Sequence, residues 1–192
     1  MRVFFSDRDY QTYLEILVEQ ARNSDLQIWA YCLMPNHVHL VAVPTAADHL
    51  ARALGETHRK YACHINQREE WTGHLWQERF SSFPMDETHL LFAVRYVLLN
   101  PVRAGLAQRA EDWSHSSIKA HLSGIADDLV DPEPMSERVA NWDSYLEVPE
   151  ADETLDLLRK HSRTGRPLGD DGFIERVERS TARLLRPWIR RS

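Results

Sequence analysis

Two short apolar runs joined by a tight turn constrain the fold of this chain more than any other feature. The first run, Leu26 to Leu33, is apolar or aromatic at most positions, as is typical of a buried strand. A turn signal, Met34-Pro35-Asn36, follows, because proline fixes φ and asparagine tolerates turn geometry. The second run extends from His37 to Val43. The pattern predicts a β-hairpin.

Helical patterns lie on both sides of this hairpin. Ser6 or Asp7 is placed to cap a first helix, which Asn23 and the two residues after it interrupt. A second helix is predicted from about Ala47 to Gln67, and residues 74–83 resemble a further strand. Helices that alternate with strand pairs indicate an α+β fold, with the helices on one face of an antiparallel sheet.

A third helix follows, and its residues matter most for function. Asp86 is placed to cap it, and Pro101 is expected to end it, because the residue before a proline is disfavoured in the α region. Tyr96 lies within this helix and Asn100 lies four residues later, so the two side chains share one helical face. Tyrosine is a covalent nucleophile in some enzymes, and an amide oxygen is a ligand for hard metals. The alternatives are a core tyrosine and an asparagine that only stops the helix.

The charge of the second half of the chain is strongly uneven. The net charge is -6, yet residues 127–156 carry 11 acidic residues and one basic residue. Residues 159–192 carry 10 basic and 4 acidic residues. We predict an acidic linker with short helical pieces, a helix over residues 153–161, and a last helix from Asp170 to about Leu185. The basic tail is a candidate partner surface, and a solvated tail without a ligand is the alternative.

Composition excludes two broad classes. No apolar run approaches the roughly 18 residues of a membrane-spanning helix, and the first five residues are too short for a secretory signal. The two cysteines, Cys32 and Cys63, lack the spacing of a disulfide framework and are predicted to be buried thiols. We therefore expect a cytoplasmic protein without a membrane partner.

His37 and His39 form the clearest candidate for metal binding. Residues i and i+2 of a strand point to the same face, so the two imidazoles project side by side while Val38 points into the core. Imidazole is the commonest metal-ligating side chain. A pair of surface histidines without a metal is the alternative, as is a zinc site completed by Cys32, Cys63 or His64.

Four blocks of this sequence resemble a known family. Residues 34–40, Met-Pro-Asn-His-Val-His-Leu, and residues 96–106, which begin Tyr-Val-Leu-Leu-Asn-Pro, are similar to the two signature blocks of the single-tyrosine HUH transposases. Residues 75–80 resemble a further family segment, and residues 163–169 resemble the tail of the branch called REP-associated tyrosine transposases. Two long blocks in the right order are far more specific than either motif alone.

The resemblance implies a ferredoxin-like antiparallel sheet in a domain over residues 1–122, followed by an acidic linker and basic helical tail over 123–192. It implies Mg²⁺ or Mn²⁺ bound by His37, His39 and Asn100, with Tyr96 forming a 5′-phosphotyrosine bond to cleaved single-stranded DNA. Its substrates are repeats that fold into hairpins. Arginines near the blocks and in the tail are the expected DNA contacts: Arg95, Arg103, Arg163 and Arg166.

One departure from the family concerns the start of the chain. Relatives carry a strand before the segment that matches residues 1–5, and this strand is expected to be missing here. We therefore retain two hypotheses besides the active transposase, namely a catalytically weak or inactive protein that binds DNA hairpins and an unrelated structural metal-binding protein. The oligomeric state is expected to be monomer or homodimer.

Overall fold

The computed structural model describes residues 2–77, 79–149 and 151–185 and contains the predicted hairpin. Strand β1 (Leu26–Met34) pairs antiparallel with strand β2 (His37–Pro44). Cys32 lies opposite His39 in this register, and a bulge interrupts the pairing just after Ile28. These two strands form the sheet within the described residues.

The described ranges contain nine α-helices in addition to the hairpin, so the α+β class is confirmed. The predicted helices are present, with ends shifted by a few residues, and shorter ones lie between them. No helix among the described residues has the length and apolar character needed to traverse a bilayer. In chain order they are α1 (Asp7–Asn23), α2 (His49–Glu69), α3 (Glu87–Leu98), α4 (Asn100–Arg103), α5 (Ile118–Ser123), α6 (Glu133–Ser136), α7 (Trp142–Glu147), α8 (Asp152–Thr164) and α9 (Asp171–Thr181), with a 3₁₀ turn at Ala110–Asp112.

The chain forms two compact units. The first contains Met1–Phe80 and Val97–Glu147, and the second contains Ser81–Tyr96 and Val148–Ser192. The acidic segment after residue 123 holds two short helices, as predicted, and belongs to the first unit up to Glu147. The division into domains at residue 122 stays a prediction.

The core of the first unit lies between the hairpin and helices α1 and α2. Tyr13, Leu17 and Tyr61 are fully buried there, together with Leu33 of β1. Val38 of β2 packs against the same core, as predicted, together with its strand neighbours Leu40 and Ala42. Alternate residues of β2 therefore face the helices, and the residues between them lie on the opposite face of the sheet.

The free edge of β1 is covered by chain from the second half of the sequence. The Leu33 N–H donates to the His115 carbonyl at 2.9 Å, and the Ser117 N–H donates to the Tyr31 carbonyl at 3.0 Å. Further along, Val130 bridges Ile28 and is completely buried. Residues from the second half of the sequence therefore satisfy backbone groups on the edge of β1 that β2 leaves uncovered.

The prediction of a strand over residues 74–83 is wrong. No strand forms in the described part of that segment, residues 74–77 and 79–83. The apolar side chains of this segment pack against helix α2 and the core of the first unit instead. Trp76 stacks on His58 with ring centroids 4.3 Å apart, and its indole N–H donates to the His58 carbonyl at 3.2 Å. Leu75 is buried in the core of the first unit. Glu78, within the block that resembles the family, lies outside the described residues.

An ion pair between the buried Asp9 and the partly exposed Arg68 connects α1 to the end of α2. The Asp9 carboxylate accepts the N–H groups of Phe5 at 2.7 Å and Ser6 at 3.0 Å, and it contacts the guanidinium of Arg68. Burial opposes ionisation of Asp9, but the hydrogen bonds and the charge of Arg68 outweigh it and lower the pKa of this carboxyl. The pair is therefore charged at neutral pH and fixes the start of α1.

We expect Arg68→Ala to lower the free energy of unfolding by about 2 kcal/mol, because it leaves a buried carboxylate without its charged partner. The effect is smaller than for a fully buried pair, since the Arg68 side chain is 35% exposed. Urea unfolding followed by tryptophan fluorescence measures it. Arg59→Ala, which breaks an exposed pair with Glu56 on the same helix, is the control and should leave the midpoint unchanged.

The deficit of Arg68→Ala should also depend on pH. Because folding lowers the pKa of Asp9 below its ordinary value of 3.8, the pair stabilises the protein above about pH 4 and loses its effect as the pH falls through the lowered value. Wild type and variant should therefore converge in acid. A deficit that is constant from pH 7 to pH 3 contradicts this assignment.

Candidate active site

The imidazoles of His37 and His39 meet on the face of β2 that points away from α1 and α2. Their Nε2 atoms are 2.9 Å apart, and the ring planes are nearly perpendicular, at 89°. His37 is exposed and His39 is half-buried. The alternation of β2 produces this arrangement directly, because Val38, which lies between them, packs into the core. The structure thus brings the two predicted metal ligands together.

A neighbouring amide orients the first ring. Nδ1 of His37 lies 2.7 Å from Oδ1 of Asn36. With that oxygen as acceptor, Nδ1 carries the ring proton, and Nε2 is left with its lone pair. A metal-ligating histidine generally has its second nitrogen fixed in this way. Sequence reasoning treated Asn36 only as a turn residue and missed this role, although its position directly before His37 was a usable signal.

Both rings are held in the neutral form. Burial lowers the pKa of His39 to about 3, and the nearby charges of His37 and Arg103 act in the same direction. Burial also lowers the pKa of His37. Neutral imidazole is the form that binds metal, so the pair needs no deprotonation at pH 7.

Helix α4 brings two further predicted residues toward this face within the first unit. It packs against β1, and the charge of Arg103 adds to the effect of burial in lowering the pKa of His39. Asn100 lies three residues before Arg103 on the same short helix, so the two share one side of it. α3 ends at Leu98, and Pro101 lies in the first turn of α4 instead of ending the Tyr96 helix. Asn100 is therefore positioned by α4.

The zinc alternative requires at least one further His or Cys ligand next to the histidine pair. Within residues 2–77, 79–149 and 151–185, no group of three His, Cys, Asp or Glu side chains is placed to hold a metal. The predicted zinc alternative with Cys32, Cys63 or His64 is therefore not formed in that part of the chain. Cys32 is buried as predicted, and burial raises its pKa to about 12, whereas Cys63 is exposed. A third ligand of a different class, such as the amide oxygen of Asn100, is compatible with the pair.

Tyr96 belongs to the second unit, on α3, and is half-buried. The predicted DNA-contacting arginines differ in accessibility. Arg95 is 7% exposed, and its guanidinium lies 5.8 Å from the centre of the Phe92 ring, so little of it faces solvent. Arg163 and Arg166 are exposed. Of the basic tail, Arg186 and the residues that follow it lie outside the described residues.

The C-terminal block 163–169 has a structural role in the second unit that the sequence did not reveal. Residues 168–170, here termed the C-terminal hook, pair with the chain just before α3. The Leu168 N–H donates to the Pro84 carbonyl at 2.9 Å, and the Asp86 N–H donates to the Leu168 carbonyl at 3.0 Å. The Asp86 carboxylate in turn accepts the N–H of Asp170 at 3.0 Å. The hook therefore anchors the start of the helix that carries Tyr96.

Asp86 and Gly169 explain why this anchoring is specific. Asp86 caps α3 as predicted, since Oδ1 accepts the His89 N–H at 3.0 Å while Oδ2 is free to hold the hook. A Cβ at Gly169 would lie 2.8 Å from Oδ2 of Asp86 and 2.5 Å from a ring carbon of Phe173. Glycine is thus the residue that allows the hook to approach the cap.

We expect the His39 ring to remain neutral in the folded protein well below pH 5. Its ordinary pKa is 6.5, and folding lowers it, so the unfolded chain binds a proton that the folded chain does not, and this histidine destabilises the fold as the pH falls below 6.5. Long-range ¹H–¹⁵N spectra of metal-free protein from pH 8 to pH 4.5, assigned with His39→Ala, measure the ring state. A titration midpoint near 6.5 contradicts the expectation.

Comparison with known proteins identifies a matching family and two relatives. The family model described as "Transposase IS200 like" matches residues 1–99. A REP-associated tyrosine transposase of Escherichia coli (strain K12) is 21% identical over 109 residues, which are 56% of this chain and 64% of the relative. A protein provisionally given the same name in Haemophilus influenzae is 25% identical over 99 residues, 46% of this chain and 56% of the relative. The chain thus spans less than two thirds of either relative.

No solved structure matches the chain. The family model, however, covers more than half of the 192 residues and includes the hairpin, the histidine pair and helix α3 with Tyr96. The protein belongs to the IS200-like transposase family.

Proposed function

We propose that the protein cleaves and rejoins single-stranded DNA at hairpin-forming repeats through a covalent 5′-phosphotyrosine intermediate on Tyr96. The observation that carries the proposal is the neutral histidine pair on the open face of β2, with Nε2 atoms 2.9 Å apart. A purely DNA-binding protein needs no such pair. The family supplies the context of DNA transposition.

The geometry of the pair fits a divalent ion. Two neutral imidazole nitrogens that lie 2.9 Å apart on one face of a strand could both bind the same divalent ion. His37 and His39 would hold Mg²⁺ or Mn²⁺ together with the amide oxygen of Asn100. Two nitrogen ligands favour Mn²⁺ over Mg²⁺. A bound ion supplies charge stabilisation to the non-bridging oxygens of the scissile phosphate.

The chemistry assigned to the protein is a transesterification. The phenol oxygen of Tyr96 attacks phosphorus and loses its proton, while the bond from phosphorus to the 3′ oxygen breaks and that oxygen leaves as a hydroxyl. The energy of the phosphodiester is conserved in the phosphotyrosine. A second 3′ hydroxyl then attacks the same phosphorus, Tyr96 regains its proton, and the strands are joined without an external energy source.

The proposed DNA contacts follow the accessible positive charge. Arg103 lies close enough to His39 to affect its pKa, so it is suited to a phosphate next to the histidine pair. Arg163 and Arg166 are exposed at the end of α8 and suit the backbone of an approaching strand. Arg95 is retained as a DNA contact only if its side chain turns outward. The overall charge of -6 is no obstacle, because the acidic residues concentrate in another segment.

The test is formation of a covalent adduct. A single-stranded hairpin oligonucleotide from repeats that flank the gene, labelled at its 3′ end, is incubated with protein and Mn²⁺ and run on a denaturing protein gel. The label should comigrate with the protein, because the 5′ end of the downstream fragment is joined to Tyr96. A 5′-labelled copy should instead yield a shortened free strand.

Matched variants make this test specific. Tyr96→Phe and chelation with EDTA should abolish the adduct, and His39→Ala should reduce it about 10²-fold or more. Tyr145→Phe and His64→Ala change the same residue types at other positions of the chain and should leave the adduct unchanged. A gel shift in native conditions with no adduct from wild-type protein overturns the enzyme in favour of a hairpin-binding protein.

A further inference from the structure

The segment that leads into α3 lies beside the end of α8 and the C-terminal hook, all within the second unit. The rings of Phe83 and His161 have their centroids 6.0 Å apart, and further along Met85 forms a parallel β-bridge with Leu168. Leu168 is 5% exposed, so this bridge is shielded from water. The start of the helix that carries Tyr96 is thus attached to chain from the far end of the sequence.

Asp86 links the hook to α3 through a single side chain. Its Oδ2 accepts the Asp170 N–H at 3.0 Å, and its Oδ1 accepts the His89 N–H in the first turn of α3, also at 3.0 Å. Oδ1 lies in addition 2.6 Å from Nδ1 of His89. A carboxylate offers two acceptor oxygens, whereas an amide offers one. The link therefore requires an acidic residue and not merely a residue that can cap a helix.

The loop between α8 and the hook carries two exposed arginines. Arg163 lies in the last turn of α8, and Arg166 lies shortly before the hook. Nδ1 of His161 donates to the Arg166 carbonyl at 2.8 Å and closes this loop. Gly165 ends α8 at φ +65°, and a Cβ there would lie 3.4 Å from the Ser82 carbonyl oxygen. The loop is therefore held close to the segment before α3, and a ligand bound to both arginines has a fixed place relative to the start of that helix.

Gly169 allows the hook to be disturbed without removing any of its hydrogen-bonding groups. A Cβ there would lie 2.8 Å from Oδ2 of Asp86 and 2.5 Å from a ring carbon of Phe173, so alanine displaces the oxygen that holds Asp170. The backbone at Gly169 lies outside the left-handed region, so alanine itself is tolerated. Gly172 supplies a matched control, because the nearest atom to a Cβ there is 3.4 Å away.

We propose that Asp86 and the C-terminal hook hold the helix of Tyr96 in register with DNA bound at Arg163 and Arg166. The inference rests on the proposed function of Tyr96 and assigns what sets the position of cleavage. With the hook in place, a strand bound by the two arginines presents one phosphate to the phenol oxygen. Once the hook is released, the loop and the start of α3 move independently. Attack then becomes slower and reaches neighbouring phosphates, because reaction requires a closely defined geometry.

The experiment compares Gly169→Ala, Asp86→Asn and Gly172→Ala in the full chain. Under single-turnover conditions with saturating hairpin DNA and Mn²⁺, the first two variants should form the Tyr96 adduct about 10 to 100 times more slowly than wild type, with unchanged DNA affinity. The amide in Asp86→Asn has one acceptor oxygen and holds either α3 or the hook. Gly172→Ala should react at the wild-type rate.

The position of cleavage is a second readout, which a merely structural role would not change. With DNA labelled at its 5′ end, wild-type protein and Gly172→Ala should release one shortened strand. Gly169→Ala and Asp86→Asn should release additional strands that differ in length by one or more nucleotides. A variant that is only less stable contains less active protein and gives the wild-type length.

A third readout does not depend on activity. The Asp86 N–H donates to the Leu168 carbonyl at 3.0 Å, so hydrogen exchange of the amide at position 86 reports directly on the hook. In protein without DNA or metal, the protection of this amide should fall about tenfold in Gly169→Ala and in Asp86→Asn. In Gly172→Ala it should remain at the wild-type level.

The outcomes separate this inference from the function on which it rests. Wild-type protein that forms no Tyr96-dependent adduct overturns the proposed function and this inference with it. A wild-type adduct, with the same saturated rate and product length in Gly169→Ala and Asp86→Asn, overturns only the role of the hook. A slower rate with the wild-type product length alone also overturns that role, as does a loss of DNA affinity that accounts for the whole effect. Wild-type protection at position 86 in both variants overturns it as well.

Discussion

The pairing register of the hairpin is the constraint on which the candidate site depends. Val38, Leu40 and Ala42 of β2 are held against the core formed with α1 and α2, and this fixes which face the intervening histidines occupy. A slip of one residue would bury the imidazoles and expose the apolar side chains, at a cost that the core does not allow. Hydrogen bonds from residues 115 and 117 hold the other edge of β1 and oppose such a slip. The core therefore determines the geometry of the pair.

Residues that follow the family-matched region 1–99 add further side chains and backbone contacts. Residues 1–99 contain the histidine pair and Tyr96, but Asn100 and Arg103 follow immediately on α4. The C-terminal hook holds the start of α3 from the far end of the sequence. The proposed chemistry requires the Tyr96 hydroxyl to reach a phosphate bound at the histidine pair. The C-terminal segment that resembles the REP-associated branch thus anchors the start of the helix that carries Tyr96.

Local patterns predicted the elements that depend on neighbouring residues. The hairpin, the Asp86 cap and the pairing of His37 with His39 follow from strand alternation, turn chemistry and capping, which are short-range effects. Predictions failed where a long-range contact decides the outcome. Residues 74–83 have a strand-like pattern, but Leu75 and Trp76 pack against the helices of the first unit. The spacing of apolar residues along a segment does not reveal which other element of the fold buries them.

Two further properties could not be predicted from the sequence, because they also depend on long-range contacts. The acidic segment after residue 123 has a polar composition typical of a linker, yet Val130 and Met135 anchor it in the first unit. The neutrality of His39 depends on burial and on Arg103, which lies 64 positions later in the chain. The resemblance to a family pointed to candidate site residues, whereas the contacts of Asn36 and of the C-terminal hook required the three-dimensional structure.

The most direct measurement of the central claim is the site of covalent attachment. After reaction with hairpin DNA and Mn²⁺, nuclease and trypsin digestion should leave a nucleotide on the peptide 96–103, which begins with Tyr96, and tandem mass spectrometry should locate the added phosphate on that tyrosine. The modified peptide should be absent after reaction with EDTA and about 10²-fold or more less abundant after reaction with His39→Ala. Attachment to a different peptide, or attachment to Tyr96 that persists without the histidine pair and without metal, would contradict the account.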